Sequence, residues 1–331
     1  MSDEGTWFRI DNTSVASTVR RAADRLAETL GLAEGPAADL SIVVAEMTSN
    51  LLKHAVEGSM LLRPVRTAET AGVEVIASDS GPGMADLPRF MRDGHTTSGT
   101  LGIGLGAIAR RSSWCDMHSV PGKGTTLAVQ VWPGAAPEPA WAAGTSRPIT
   151  GEQISGDGYA IRVAGDRHQV LVSDGLGHGP LAAAASQAAV NAFRHAPAVP
   201  PAALVENLHR AMSHTRGAAL AIAELDAAAG LVRYAGLGNI AGTIVEGSSR
   251  RGMISLPGIA GHQRRQIKEF EYPIGPGAAV VMHSDGVVDR WAPGDYPGLS
   301  TVSPVLVAAT VLRDAGVRRD DACVLAARLP S

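Results

Sequence analysis

The stretch VAEMTSNLLKHA places Glu46, Asn50 and His54 four residues apart. A four-residue step on a helix returns to nearly the same face, so a carboxylate, an amide and an imidazole would stand in one row, with Lys53 beside it. The other side of that helix, Val43, Met47 and Leu51, is apolar. Such a row is either a solvated face or the lining of a polar pocket. The second half of the chain repeats a different pattern: SGDGY at 155–159, VSDGLGHG at 172–179, HSDGVVD at 283–289 and RDDACVL at 319–325. Each lies at or beside the end of an apolar, strand-like run. A single Asp-Gly after a strand is ordinarily a turn. Four acidic sites, three of them Asp-Gly and the fourth Asp320-Asp321, each against its own apolar segment, argue that the carboxylates converge, and an all-oxygen donor set favours Mg²⁺ or Mn²⁺ over zinc. His178 and His283 read as structural or supporting residues rather than ligands.

Glycine-rich segments follow the polar row. DSGPGM at 79–84 comes at the end of a strand-like run, where Gly81 and Gly83 allow close backbone approach and positive φ. SGTLGIGLGAIARR at 98–111 runs glycines into a helix, whose first N–H groups suit phosphates. GKGTT at 122–126 opens a further strand. Each cluster alone could be a tight turn; their order and spacing together are more specific.

These residues need elements to position them. Helical patterns cover 13–31, 37–55 and 104–112, with a short strand before the first and strands at 73–78 and 125–132. Pro, Ala and Gly dominate 133–148, which reads as a semi-extended linker. Beyond it, apolar strand-like runs alternate with helical patterns over 180–195, 201–215 and 303–315. The expected division is therefore 1–133, a linker at 134–148, and 149–331. Length itself favours two domains.

Composition narrows the class. A net charge of −3 with no basic tract argues against nucleic acid as a partner. No apolar run reaches a membrane span, and the acidic start MSDEGTWFRI has no signal-like core, so a cytoplasmic location without a membrane partner is expected. Two cysteines, Cys115 and Cys323, show no metal-ligand spacing and read as buried thiols.

Glu46 and Asn50, the glycine segments and GKGTT, taken in order, resemble the GHKL ATPases: gyrase, Hsp90, histidine kinases and MutL. The resemblance covers most of 1–133 and implies a Bergerat α/β sandwich binding ATP and Mg²⁺. It implies that Asn50 holds Mg²⁺ against the phosphates and that Asp79 accepts the adenine amino group. Gly81 and Gly83 would shape the adenine pocket, Gly102 and Gly104 would cradle phosphates beneath a lid of roughly 84–101, and Thr125 would assist at the adenine. With no His-bearing dimerisation helix ahead of it, this half resembles the anti-sigma-factor and stress-switch serine kinases, on FMRDGHTTSGTLGIGLGAIARR and SVPGKGTT. Those enzymes phosphorylate STAS-domain proteins, and Glu46 would then be the general base, with Lys53 a phosphate contact and His54 a packing residue.

The acidic motifs, with GHGPLAAAAS, TRGAALAIAELD, YAGLGNIAG and IAGHQ, resemble the SpoIIE-type phosphatases of the protein phosphatase 2C superfamily over about 148–330. That implies an αββα sandwich, hence an α+β chain overall, and two Mn²⁺ or Mg²⁺ ions. Asp174 would bridge them, the Gly175 carbonyl would complete one sphere, Asp157 would act directly or through water, and Asp285 and Asp320 would bind the second ion beside Asp321. The arginine that grips phosphate in longer relatives has no clear counterpart; Arg162 and Arg216 are the alternatives. The expectation is a bifunctional signalling enzyme: a Ser/Thr kinase of a STAS-domain regulator (an anti-anti-sigma factor or a stressosome-like scaffold) and a metal-dependent phosphatase of the same or a related protein, with a sigma or anti-sigma factor as a further partner. The alternative is a phosphatase whose N-terminal half only senses ATP or sequesters a regulator.

Overall fold

A computed structural model describes residues 5–85, 104–138, 140–264 and 266–330. The chain divides into two compact units, Met1–Pro139 and Ala140–Ser331.

The first unit begins with β1 (Thr6–Arg9), α1 (Thr13–Thr29) and α2 (Glu34–His54). Asn12 caps α1, its side-chain oxygen accepting from the N–H groups of Ser14 and Val15, which satisfies two donors a helix start leaves open. Helix α1 buries Val19, Ala23 and Ala27, and α2 buries Leu40, Val43, Val44, Met47, Thr48 and Leu51, each a stripe of helical period. After them come β2 (Ser59–Arg66), β3 (Ala71–Asp79), α3 (Gly104–Arg111), β4 (Trp114–Val120) and β5 (Gly124–Val131). The sheet order is β1-β2-β3-β5-β4, antiparallel throughout. Its helix-facing side is built from alternate residues: Met60 and Leu62, Val73, Val75 and Ala77, then Leu127, Val129 and Val131. Neither β2 nor β4 is evident from the sequence. In β2, Arg63 and Pro64 interrupt the apolar alternation; Arg63 is buried against Glu74 at 2.5 Å, and Gln130 donates to the other Glu74 oxygen at 2.8 Å.

The second unit contains β6 (Ala142–Arg147), β7 (Asp157–Ala164), β8 (Arg167–Gly175), α4 (Pro180–His195), α5 (Pro201–Ala211), β9 (Ala218–Asp226), β10 (Leu231–Leu237), β11 (Ala241–Glu246), β12 (Ser249–Met253), β13 (Ser255–Leu256), β14 (Phe270–Pro273), β15 (Ala279–His283), α6 (Pro304–Ala315) and β16 (Ala322–Arg328). One sheet runs β13-β10-β9-β8-β7, with β14 also on β10; the other runs β12-β11-β15-β16-β6. Their inner faces form one core, Val170, Val172, Ala221, Val232 and Tyr234 meeting Ile244, Val280, Met282, Cys323 and Leu325. Helices α4 and α5 cover the outer face of the first sheet through Ala185, Ala189, Phe193, Leu204 and Leu208. Helix α6 packs on β16 and β6 of the second. This is a helix–sheet–sheet–helix sandwich, and the α+β class expected from the sequence holds for both units.

One expectation is corrected here. The segment 134–148 is not all linker, because Ala142–Arg147 is strand β6, paired along its length with β16. Its small residues fit the place: a Cβ on Gly144 would lie 2.7 Å from the Tyr159 ring, so the strand is poor in side chains because a neighbouring ring occupies the space.

Candidate active sites

In the first unit, the row on α2 divides. Glu46 and Asn50 are half-buried and face the start of α3: a Cβ on Gly104 would lie 3.3 Å from both Glu46 Oε2 and Asn50 Oδ1. A carboxylate, an amide and a bare glycine backbone at a helix start thus share one point. Lys53 and His54 are exposed in the last turn of α2, where positive charge complements the helix dipole. His54 is therefore not the packing residue expected.

Asp79 ends β3, directly opposite Thr125 of β5. Its Oδ1 accepts from the Gly81 N–H at 2.7 Å, which turns the chain back toward α2, where Ser80 N donates to Val56 O. Gly83 adopts φ +65° against the Val120 carbonyl. Gly124 has φ +96°, and a Cβ there would fall 1.9 Å from the Asp79 carbonyl oxygen, so only glycine fits. Ser119, which the sequence reading did not single out, fastens this end: its hydroxyl accepts from Met84 N, lies 2.8 Å from the Thr125 hydroxyl and 3.1 Å from the Gly124 carbonyl. Of the expected nucleotide residues, Gly102 and most of the 84–101 lid lie outside the described residues.

In the second unit, Asp157 and Asp174 stand opposite one another where β7 and β8 meet. The Asp174 carboxyl shares hydrogen bonds with those of Asp157 and Asp285, and Asp320 is close enough to repel it. Burial, then the charges of Asp285 and Asp320, push the Asp174 pKa up to about 7. Asp157 is pushed well above the carboxylate range by burial and then by Asp174, although the Ser284 hydroxyl, donating at 2.5 Å, opposes that. Ser284 also accepts from the Cys323 N–H, which joins the β15 end to β16. Asn239, in the loop after β10, donates to Asp285 Oδ2 at 2.7 Å. Gly175 is buried against the first turn of α4, where a Cβ would lie 2.1 Å from the Ala182 carbonyl oxygen.

Asp321 is turned to structure. It is 3% exposed and accepts from the backbone N–H groups of Ile149 and Gly156, fixing the approach to Asp157. Among the described residues, no three His, Cys, Asp or Glu side chains surround one point as a ready-made cation shell. The carboxyls instead share hydrogen bonds with one another. The donor set nonetheless fits a hard cation: it is all oxygen, and its mutual repulsion is what positive charge would relieve. Of the two arginines, Arg162 is committed elsewhere. Its guanidinium donates to the carbonyl of Phe193 in the last turn of α4, to those of Ala196 and Pro197 just beyond it and to Gln169, and stacks 4.6 Å from the Phe193 ring. Asn239 and Ser284 were within motifs read from the sequence, YAGLGNIAG and HSDGVVD, but polar residues beside glycine or at strand ends read as turn formers until their partners are known.

The family model described as Stage II sporulation protein E (SpoIIE) matches residues 164–330, half of the chain and all of the carboxylates but Asp157. The chain belongs to the SpoIIE family. The model described as histidine kinase-like ATPase domain matches residues 8–131. Over 113 residues the chain is 31% identical to the serine/threonine-protein kinase RsbT of Bacillus subtilis (strain 168), covering 34% of this chain and 85% of RsbT. A chain from structural work on the bacterial stressosome, a modular system adapted to control secondary messenger signalling, aligns at 26% identity with a TM-score of 0.52, covering 56% of this chain and 98% of that one. This SpoIIE-family chain thus carries, ahead of its SpoIIE match, a histidine kinase-like ATPase domain that is similar in sequence to the serine/threonine-protein kinase RsbT. Among the described residues, no helix is long and apolar enough to cross a membrane.

Proposed function

We propose that the first unit transfers the γ-phosphoryl group of ATP to a serine or threonine of a STAS-domain regulator, and that the second unit removes phosphate from that regulator or a related one. The regulator is an anti-anti-sigma factor or a stressosome-like scaffold. The observation that carries the reading is the meeting of Glu46, Asn50 and Gly104 at one point, since a module that only sequesters a partner has no use for a carboxylate beside the phosphate site. In this reading Asp79, Gly81, Gly83 and Thr125 hold the adenine, Gly102 and Gly104 take the phosphates, and Lys53 reaches them from the end of α2. Asn50 carries the nucleotide's Mg²⁺. Glu46 orients the substrate hydroxyl and accepts its proton as the phosphoryl group departs.

In the second unit, Asp157, Asp174, the Gly175 carbonyl, Asp285 and Asp320 would hold two Mn²⁺ or Mg²⁺ ions. When bound, the ions supply positive charge for the phosphoryl oxygens and lower the pKa of a water. Asn239 and Ser284 keep Asp285 and Asp157 oriented, and Asp321 keeps the 149–157 segment in place.

The test is a pair of assays on the full chain with labelled ATP and STAS-domain proteins. Glu46→Ala should bind ATP yet transfer at least about 100-fold more slowly, and Asn50→Ala should abolish transfer while leaving phosphate removal intact. Asp174→Ala should do the reverse. Tight ATP binding without any transfer to a STAS protein would favour the sensing or sequestering alternative.

A further inference from the structure

Large apolar side chains left in solvent are ordinary when scattered and informative when gathered. Among the described residues eight such side chains are exposed, and three of them belong to the segments around Asp157 and Asp174: Ile154 at 46%, Leu176 at 39% and Leu181 at 58%. Ile154 precedes Asp157 by three residues and Leu176 follows Asp174 by two. Leu181 is the second residue of α4, the helix that the Asp174 loop enters. None of the three belongs to either core of the second unit.

The backbones that carry them are packed together beside the acids. Asp157 pairs with Asp174 across β7 and β8, and Gly175 N donates to the Gly156 carbonyl at 3.1 Å. A Cβ on Gly156 would lie 2.9 Å from the Ala182 Cβ and 3.4 Å from the Gly177 carbonyl oxygen. The Ser186 hydroxyl in α4 donates to the same Gly156 carbonyl, and Leu176 N donates to the Gly217 carbonyl at 3.1 Å. Across the same gap, Glu152 Oε1 lies 3.8 Å from His178 Nδ1. The three side chains therefore stand on fixed backbone at one edge of the carboxylate cluster. A polar residue would serve the fold as well at each position, so the apolar choice points to what comes over the acids. In an extended substrate, residues one to three places from a phosphoserine lie about 3–10 Å from it, within reach of such an edge.

We propose that Ile154, Leu176 and Leu181 form an apolar docking rim that selects phosphoproteins with large aliphatic side chains within three residues of the phosphoserine or phosphothreonine. This rests on the phosphatase reading above and deepens it: the carboxylates act on the phosphate, and the rim decides which phosphate arrives.

The experiment uses the full chain with Mn²⁺ and three substrates. They are p-nitrophenyl phosphate, a phosphoserine peptide with leucine at the two residues on either side, and the same peptide with serine in place of each leucine. The parent protein should favour the leucine peptide about tenfold in kcat/KM, chiefly through KM, as burial of aliphatic side chains implies. The double variant Leu176→Gln, Leu181→Gln should bring that ratio toward one. Its melting temperature, and its ratio of activity on the serine peptide to that on p-nitrophenyl phosphate, should match the parent's. Val163→Gln, which replaces an exposed side chain near the far end of β7, should keep the preference. Equal parent rates on the two peptides, or a preference that survives in the double variant, would overturn the proposal and leave the phosphatase reading standing. So would a preference lost only together with a change of oligomeric state in sedimentation, since the patch would then join two copies of this chain. A parent protein inactive on all three substrates would overturn both.

Discussion

Asp174 carries conflicting demands: it is buried, hydrogen-bonded to two other carboxyls, and repelled by Asp285 and Asp320. Its pKa of about 7 lies above the ordinary 3.8 of the unfolded chain, so the native state binds the proton more tightly. Stability without divalent ions is then full at acid pH and is lost as pH rises from about 4 through about 7. Asp157, shifted the same way, adds to the slope. Melting temperatures measured in a chelator should fall between about pH 5 and pH 7.5; Mn²⁺ should restore them at the upper end, and Asp174→Asn should flatten the profile. Asn239→Ala should act differently. It frees Asp285, and the Mn²⁺ needed for half-maximal phosphatase activity should rise roughly tenfold, the usual cost of losing a residue that orients a ligand. Asp174 and Asp285 were legible in the sequence because Asp-Gly recurs after apolar runs. Asn239 was not, because an asparagine after a glycine has the same signature whether it makes a turn or holds a carboxylate.

At the scale of elements, α2 and Arg162 are instructive. The apolar stripe of α2 fixes which face meets the sheet, and Glu46 and Asn50 then point toward α3 by helical spacing alone. That part of the first site could be read directly. The fate of Arg162 could not, since its three carbonyl acceptors lie more than thirty residues away, around the end of α4. Arg162→Ala should lower stability by about 2 kcal/mol, the range for hydrogen bonds to a charged group, seen as a lower denaturation midpoint, with KM for phosphopeptide unchanged. Strand β6 escaped notice for a related reason: its alanines and glycine suit a crowded edge beside Tyr159 and give no apolar alternation. Gly144→Val should force that ring aside and destabilise by about 1–3 kcal/mol, measured by chemical denaturation. Strand β2, with Arg63 and Pro64 at its centre, hid behind a buried ion pair that only its partner Glu74 explains.

For the molecule as a whole, the division into two units was legible because each half carries its own ordered set of motifs. The boundary was less so. The second unit opens with β6, which adds a strand to β16 and underlies α6, so a fragment starting at residue 149 loses one edge of a sheet. Fragment 149–331 should unfold at a lower denaturant concentration than fragment 140–331, and urea curves of the two would show it.

The pairing of β6 with β16 also sets an order of maturation. The ATP-binding unit has all its strands once Val131 has left the ribosome, whereas β6 waits for a partner that ends at Arg328. At ordinary translation speeds that gap is about 10 to 40 s. Each newborn polypeptide thus has the strands of its first unit in hand before the second unit can close its sheet.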